Sequence, residues 1–157
     1  MMQDAGVFMV PTQYTILSGA RRDEGDTVWA ALPEHSRRKM QKYRGALLDA
    51  AEGLAASDVR IAFGTDAGMF PHHDNWREFP MMVSTGITPL RALRAATSVA
   101  AELLRLDDLG VIAEGKIADL IAMPGDPFAD INVTGQVDFV MKEGVIYKDP
   151  AGKDPQV

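Results

Sequence analysis

Val59-Arg60-Ile61-Ala62-Phe63-Gly64-Thr65-Asp66-Ala67-Gly68 is the stretch on which the fold turns. Its first five residues form a short, mainly apolar run that Gly64 stops. Runs of this kind suit strands covered on both faces, as in parallel sheets. Val7-Phe8-Met9-Val10 has the same character and is closed by Pro11. Between the two runs, from Glu34 to about Ala56, Met40, Tyr43, Leu47, Leu48, Ala51, Leu54 and Ala55 recur at three- and four-residue spacing, which predicts one face of an amphipathic helix. A strand, a long helix and a second strand make a crossover unit with parallel strands. Residues 18–33, rich in Gly, Arg and Asp, read as a long loop, and loops of that length are usually functional or mobile.

After Gly68 the chain stays polar and punctuated through Pro71-His72-His73-Asp74-Asn75. A helix is expected to start near Asn75, with Asn75 as its cap and Glu78 at the reciprocal capping-box position. Trp76, Phe79, Met82 and Val83 supply its apolar face and Gly86 ends it. Thr88-Pro89 restarts a helix as N-cap and first-turn proline, and Thr97 caps a further short helix to Leu104. Beyond Leu109 the texture changes. Gly110-Val111-Ile112 and Ala118–Met123 read as short strands, and Val137–Met141 and Val145–Tyr147 as a hairpin across Glu143-Gly144. The chain therefore divides into an α/β portion at 1–109, a small β unit at 110–150 and a frayed tail at 151–157.

Composition narrows the function. A chain of 157 residues with 46% apolar content can bury a core, and a formal charge of −6 argues against the basic footprint that nucleic-acid binding needs. With no cysteine there is no disulfide and no thiolate ligand, so a metal must be held by His, Asp or Glu. No run is long and apolar enough to span a membrane, and the first residues lack the pattern of a signal peptide. A soluble protein, cytoplasmic by default, is the expectation. No Gly-x-Ser-x-Gly, phosphate loop or HExxH is present.

In parallel α/β arrays reactive groups gather where strands end and loops begin. Asp66 lies just past such an end, between two glycines that allow a sharp turn and a close approach to a ligand. A carboxylate there can hold a divalent cation and carry a proton, or it can cap the next turn. His72-His73-Asp74 is the other cluster of ligand-type side chains. Adjacent histidines diverge, so His72 is either a loop residue bonded to backbone or a ligand contact at the mouth of a site.

Taken in order, these segments resemble the end of the metal-dependent amidohydrolase superfamily fold. The resemblance rests on Gly64-Thr65-Asp66-Ala67-Gly68, then Pro71-His72 and Asn75, then Gly86-Ile87-Thr88-Pro89-Leu90-Arg91-Ala92-Leu93-Arg94-Ala95-Ala96-Thr97. Gly110-x-Ile112-x-x-Gly115-Lys116-x-Ala118-Asp119-Leu120 and Asp138-Phe139-Val140-Met141-Lys142-x-Gly144 continue it. Imidazolonepropionase-like and Xaa-Pro dipeptidase-like amidohydrolases, which hydrolyse cyclic amides, acylated amino acids or dipeptides, are the nearest branches.

That resemblance implies a partial (β/α)8 TIM barrel, its last two strand–helix units, followed by the C-terminal strands of a composite β-sandwich. Val7–Val10 would be the seventh barrel strand and Val59–Phe63 the eighth. Asp66 falls on the family's metal-binding and proton-shuttling aspartate. Tyr14 falls on the loop lining the substrate pocket, where core or rim packing is an equal alternative for an aromatic. His72 is assigned to substrate contact. The family's remaining ligands are a His-x-His, a carboxylated lysine or Glu, and two histidines on earlier strands, and none can be placed here. One or two divalent cations, zinc by expectation, would serve the intact enzyme, with none held stably by this chain alone. The expected partners are a small amide or dipeptide-like substrate and either self-association or a complementing chain, because the inward faces of Val7–Val10 and of the helix at 75–85 would lack neighbours. A non-catalytic scaffold remnant is the rival expectation.

Overall fold

The computed structural model describes residues 2, 4–21, 30, 32–68 and 70–151. Strand β1 (Phe8–Met9) pairs in parallel with β2 (Arg60–Ile61), Phe8 opposite Arg60 and Met9 opposite Ile61. The crossover between them carries two helices, α1 (Gln13–Arg21) and α2 (Glu34–Ala55). Both strands are shorter than their apolar runs. The pairing continues past β2 through one more bond, Ala62 N–H to the Met9 carbonyl at 3.0 Å.

Helix α1 occupies the beginning of the stretch expected to be a loop from residue 18. The Gly, Arg and Asp content misled, because the helix is set by residues before it: Ile16 and Leu17 turn toward α2, and Leu17 is buried. Gly19 is the contact point of the two helices, since a Cβ there would lie 2.6 Å from the end of Met40. Residues 22–29 and 31 of the expected loop, and 152–157 of the expected frayed tail, lie outside the described residues. On α2, Ala51 is buried and Leu47, Leu48 and Leu54 are half-buried, but Tyr43, assigned to the same face, is exposed.

Arg91 closes the turn from α2 into β2. Its guanidinium donates to the carbonyls of Ala55 (2.9 Å) and Val59 (2.6 Å), the first of which is left without a partner by the end of the helix. A short 3-10 helix (His72–Arg77) leads into α3 (Glu78–Ser84), which is followed by α4 (Pro89–Ala96) and α5 (Ser98–Leu104). Thr88 caps α4 as expected, accepting from Arg91 N at 3.3 Å, and Gly86 turns the chain before it with φ +100°. Thr97 precedes α5 without a side-chain cap and donates back to the Leu93 carbonyl instead.

The core lies between β2 and these helices: Ile61, Met82, Ile87, Ala92 and Ala95, with Leu54, Ala55, Phe63 and Phe79 packed around it. Met82 is 0% exposed, so the helix at 75–85 has its partners inside the chain, contrary to the expectation that its core-facing side would be bare. Val7, Met9 and Val10 are exposed.

The C-terminal part is a three-stranded antiparallel sheet, ordered β3 (Leu120–Ala122), β4 (Phe139–Lys142) and β5 (Val145–Lys148). Glu143 and Gly144 both have positive φ (52° and 79°), the mirror-image turn that matches strand twist in a two-residue hairpin. Asp119 accepts from Glu143 N at 2.7 Å and holds that turn against β3. Gly110-Val111-Ile112 forms bends rather than a strand, and Ile112 is exposed. With Gly110 at φ +85° and lodged against Ala101 and Ser98, this segment follows the end of α5 and pairs with no strand among the described residues. A 3-10 helix (Ile131–Gly135) joins the sheet to the helical part: Gly135 lies under the Trp76 ring, leaving 2.7 Å for a Cβ.

Candidate active site

Asp66 stands where β2 gives way to loop. Its φ of +51° places it in the left-handed region, which Asp tolerates better than most residues. Its side chain is exposed and takes no hydrogen bond or ion pair among the described residues. Gly64 just before it passes so near β1 that a Cβ would meet Val10 Cγ1 at 2.5 Å, so the two strand ends can approach only because that side chain is missing.

Hydrogen bonds tie the first turn of α1 to the loop after β2. Thr15 Oγ1 donates to the Thr65 carbonyl. Thr65 Oγ1 in turn donates to Asn75 Oδ1 at 2.8 Å. Asn75 therefore spans the Asp66 loop rather than capping a helix. The capping box fails because the chain enters α3 through a 3-10 turn that already contains Asn75.

Glu78 is also displaced from its expected role. It is 0% exposed, and its two carboxylate oxygens accept from Gln13 N (2.7 Å) and Tyr14 N (2.5 Å), the first two amides of α1. Burial pushes its pKa up to about 7, with the two amide donors opposing that rise. The sequence pattern held a signal for this. Glu78, Met82 and Thr85 are spaced i, i+4, i+7 and share the core face, where a carboxylate must find partners or lose its charge. Gln13 is buried beside it. Gln13 Oε1 accepts from Thr85 Oγ1 at 3.0 Å, while Nε2 has no partner.

Tyr14 is half-buried and packs edge-on against Phe70, with ring centroids 4.9 Å apart, so it touches the segment that carries Asp66. His72 opens the 3-10 helix with an exposed side chain, and His73 is exposed beside it. Arg77 pairs with Asp74 at 3.0 Å, and that bond raises the Arg77 pKa. Asp74 is thus engaged on its own turn.

Asp66 suits one position of a metal centre: a hard, accessible oxygen donor at the end of a strand. No group of three or more His, Cys, Asp or Glu able to hold an ion occurs among the described residues. These residues therefore fit a single ligand of such a centre and not a centre complete in itself.

A profile of the amidohydrolase family matches residues 1–147, and the chain belongs to that family. The ochratoxinase of Aspergillus niger is 32% identical over 96% of this chain, and its crystal structure superposes with a TM-score of 0.77. A Xaa-Pro dipeptidase crystallised with methionine in its active site is 38% identical, covering 94% of this chain, with a TM-score of 0.79. A 36-residue stretch is 64% identical to the imidazolonepropionase of Pyrobaculum arsenaticum. The chain spans about a third of the length of these relatives, 31% of the ochratoxinase and 36% of the dipeptidase. It is a mixed α/β segment of a family of hydrolases acting on amide bonds, a family that is generally metal-dependent. No helix among the described residues is long and apolar enough to cross a membrane.

Proposed function

We propose that this chain is part of a metal-dependent hydrolase of carbon–nitrogen bonds, acting on amides, cyclic amides or dipeptide-like substrates, and that Asp66 is its contribution to the reacting centre. The observation that carries this is Asp66 itself: an accessible carboxylate in a left-handed turn at the end of a parallel strand, in a loop braced to the first turn of α1, which bears Tyr14. On this account β1 and β2 are the last two strands of a (β/α)8 barrel, and β3–β5 belong to a composite β-sandwich.

Asp66 would hold a divalent cation, zinc, together with ligands from other strands. When bound, that cation supplies Lewis acidity toward the amide carbonyl and lowers the pKa of water. Asp66 takes up a proton at one carboxylate oxygen and delivers it to the leaving nitrogen. Tyr14 lines the substrate pocket with Phe70 behind it, and His72 meets the substrate at the rim.

The chain by itself is inactive on this account, because a catalytic zinc takes about three protein ligands and Asp66 is one. A complementing polypeptide fits better than a scaffold remnant. Beside β1 lies an apolar cleft of ≈ 170 Å³ lined by Met9, Pro11, Ile16 and Leu47, and β1 pairs on one edge only among the described residues. Exposed apolar strands of this kind pair with further chain.

Hydrolysis of Xaa-Pro dipeptides and N-acyl amino acids tests the proposal. The chain is assayed with zinc, alone and with a polypeptide carrying the remaining two-thirds of a relative's length. Turnover only in the combination, abolished by Asp66→Asn, is the expected result. Undiminished turnover in the Asp66→Asn combination would remove Asp66 from the chemistry, and no turnover under any condition would favour the scaffold.

A further inference from the structure

Glu78 has no place in the chemistry above, yet it is the most deeply enclosed charged group among the described residues. Among the described residues its carboxylate is not paired with a cation. Among its neighbours, Arg77 is paired with Asp74 on the preceding turn, and Arg91, on the adjacent α4, is occupied by carbonyls of the α2–β2 turn. From α1 it meets the backbone amides of Gln13 and Tyr14, and the 3-10 helix Ile131–Gly135 packed on α3 contributes no titratable side chain. His72 and His73 on the preceding 3-10 helix are exposed.

What Glu78 does hold is the entry of α1. The first amides of a helix have no partner within it, and a carboxylate placed there satisfies them while meeting the favourable end of the helix dipole. Each oxygen takes one amide, so the carboxylate bridges Gln13 and Tyr14. The residue before them, Thr12, is held at φ +45°, an uncommon conformation for a β-branched side chain that the surroundings must enforce.

The contacts close a ring. From Glu78 they run to Tyr14 N, along the chain to Thr15, across to Thr65, on to Asn75, and back through the 3-10 turn to Glu78. The ring links the first turn of α1, which carries Tyr14, to the loop that carries Asp66. We infer that Glu78 is a positioning residue: through the two α1 amides it fixes the first turn of α1 against the Asp66 loop and so sets the spacing of Tyr14 and Asp66. This rests on the assignment of those two residues to one site.

Only the ionised side chain can serve both amides. A protonated carboxyl, or an amide in its place, keeps one good acceptor oxygen and turns a donor toward the other N–H. The bridge should therefore be made and released as Glu78 titrates, whereas an inert packing residue would show no such dependence.

Nuclear magnetic resonance of the ¹⁵N-labelled chain, from about pH 5 to about pH 9, tests this in wild type and Glu78→Gln. In wild type the Gln13 and Tyr14 amide protons should move together with a midpoint near 7, and the Tyr14–Phe70 ring contact should weaken on the acid side. In Glu78→Gln the titration should vanish, and hydrogen-exchange protection at those two amides should fall about tenfold while Met82 stays protected. Amides that titrate independently, or a ring contact unchanged in both proteins, would overturn the inference. If Glu78→Gln also loses protection at Met82, the wild-type titration decides alone, on whether the ring contact follows the amides. None of these readouts uses hydrolysis. A chain that cleaves nothing leaves the bridge standing, and a disproved bridge leaves Asp66 where it is.

Discussion

The helical part of the chain, from β1 to α5, and the three-stranded sheet that follows it bury their apolar residues very differently. The first encloses Ile61, Met82, Ile87, Ala92 and Ala95 in one cluster. In the second, Ile121, Tyr147 and Phe128 are 60%, 58% and 58% exposed. Its buried apolar residues, Ile131 and Val133, belong not to a strand but to the 3-10 helix that docks under Trp76. One part holds itself together by packing, and the other by backbone pairing together with the 3-10 helix that docks on the first. Two layers are needed to bury a sheet face, and the segment of this part that packs on α3 is the 3-10 helix Ile131–Gly135 rather than a strand.

Substitution at the centre of the first part should have the largest effect. Met82→Ala removes a wholly enclosed side chain and should lower stability by about 2–5 kcal/mol, read as a melting shift common to both parts. A loss confined to one part would separate them more sharply than the packing suggests.

The buried charge also belongs to the first part alone. The folded pKa of Glu78, about 7, lies above its ordinary value of 4.5. The folded state therefore binds the extra proton, and its stabilising effect is complete below about pH 4.5, declines through the interval and is gone above about pH 7. Over that interval stability should fall by about 3 kcal/mol as pH rises, and Glu78→Gln should flatten the dependence. Urea unfolding at several pH values measures it, and a wild-type profile as flat as the variant's would mean that folding does not raise the Glu78 pKa.

At the junction, Gly135→Ala should cost about 1–3 kcal/mol, because the new Cβ meets the Trp76 ring at 2.7 Å. Hydrogen exchange should show the loss in β3–β5 and spare β2 and α3. Smallest of all, Ile121→Ala on the open sheet face should change stability by less than about 0.5 kcal/mol. A larger loss would reveal that the face is covered in solution.

Much of this contrast was legible in the sequence. Parallel pairing followed from two short apolar runs with a long amphipathic helix between them, and Thr88-Pro89 and Glu143-Gly144 marked a cap and a turn through purely local chemistry. Features that depend on distant partners were not legible. Helix α1 was hidden because its first two amides are satisfied by Glu78, which lies 65 residues from Gln13. Asn75 and Glu78 fit a local capping box in type and spacing, but tertiary bonds to Thr65 and to α1 took both side chains. Val111 and Ile112 had the composition of a strand without a neighbour to pair with. The place of Asp66 after a strand was legible, but the hydrogen bonds that brace its loop against the first turn of α1 required the fold.

Zinc binding by this chain tests most directly the claim that Asp66 is one ligand of a centre completed elsewhere. Calorimetric titration of the purified 157-residue protein should show no stoichiometric, tight uptake, and Asp66→Ala should leave the weak signal unchanged. Tight binding of about one equivalent, as a centre of about three protein ligands would give, lost in both Asp66→Ala and His72→Ala, would contradict it and place a complete metal site within these residues.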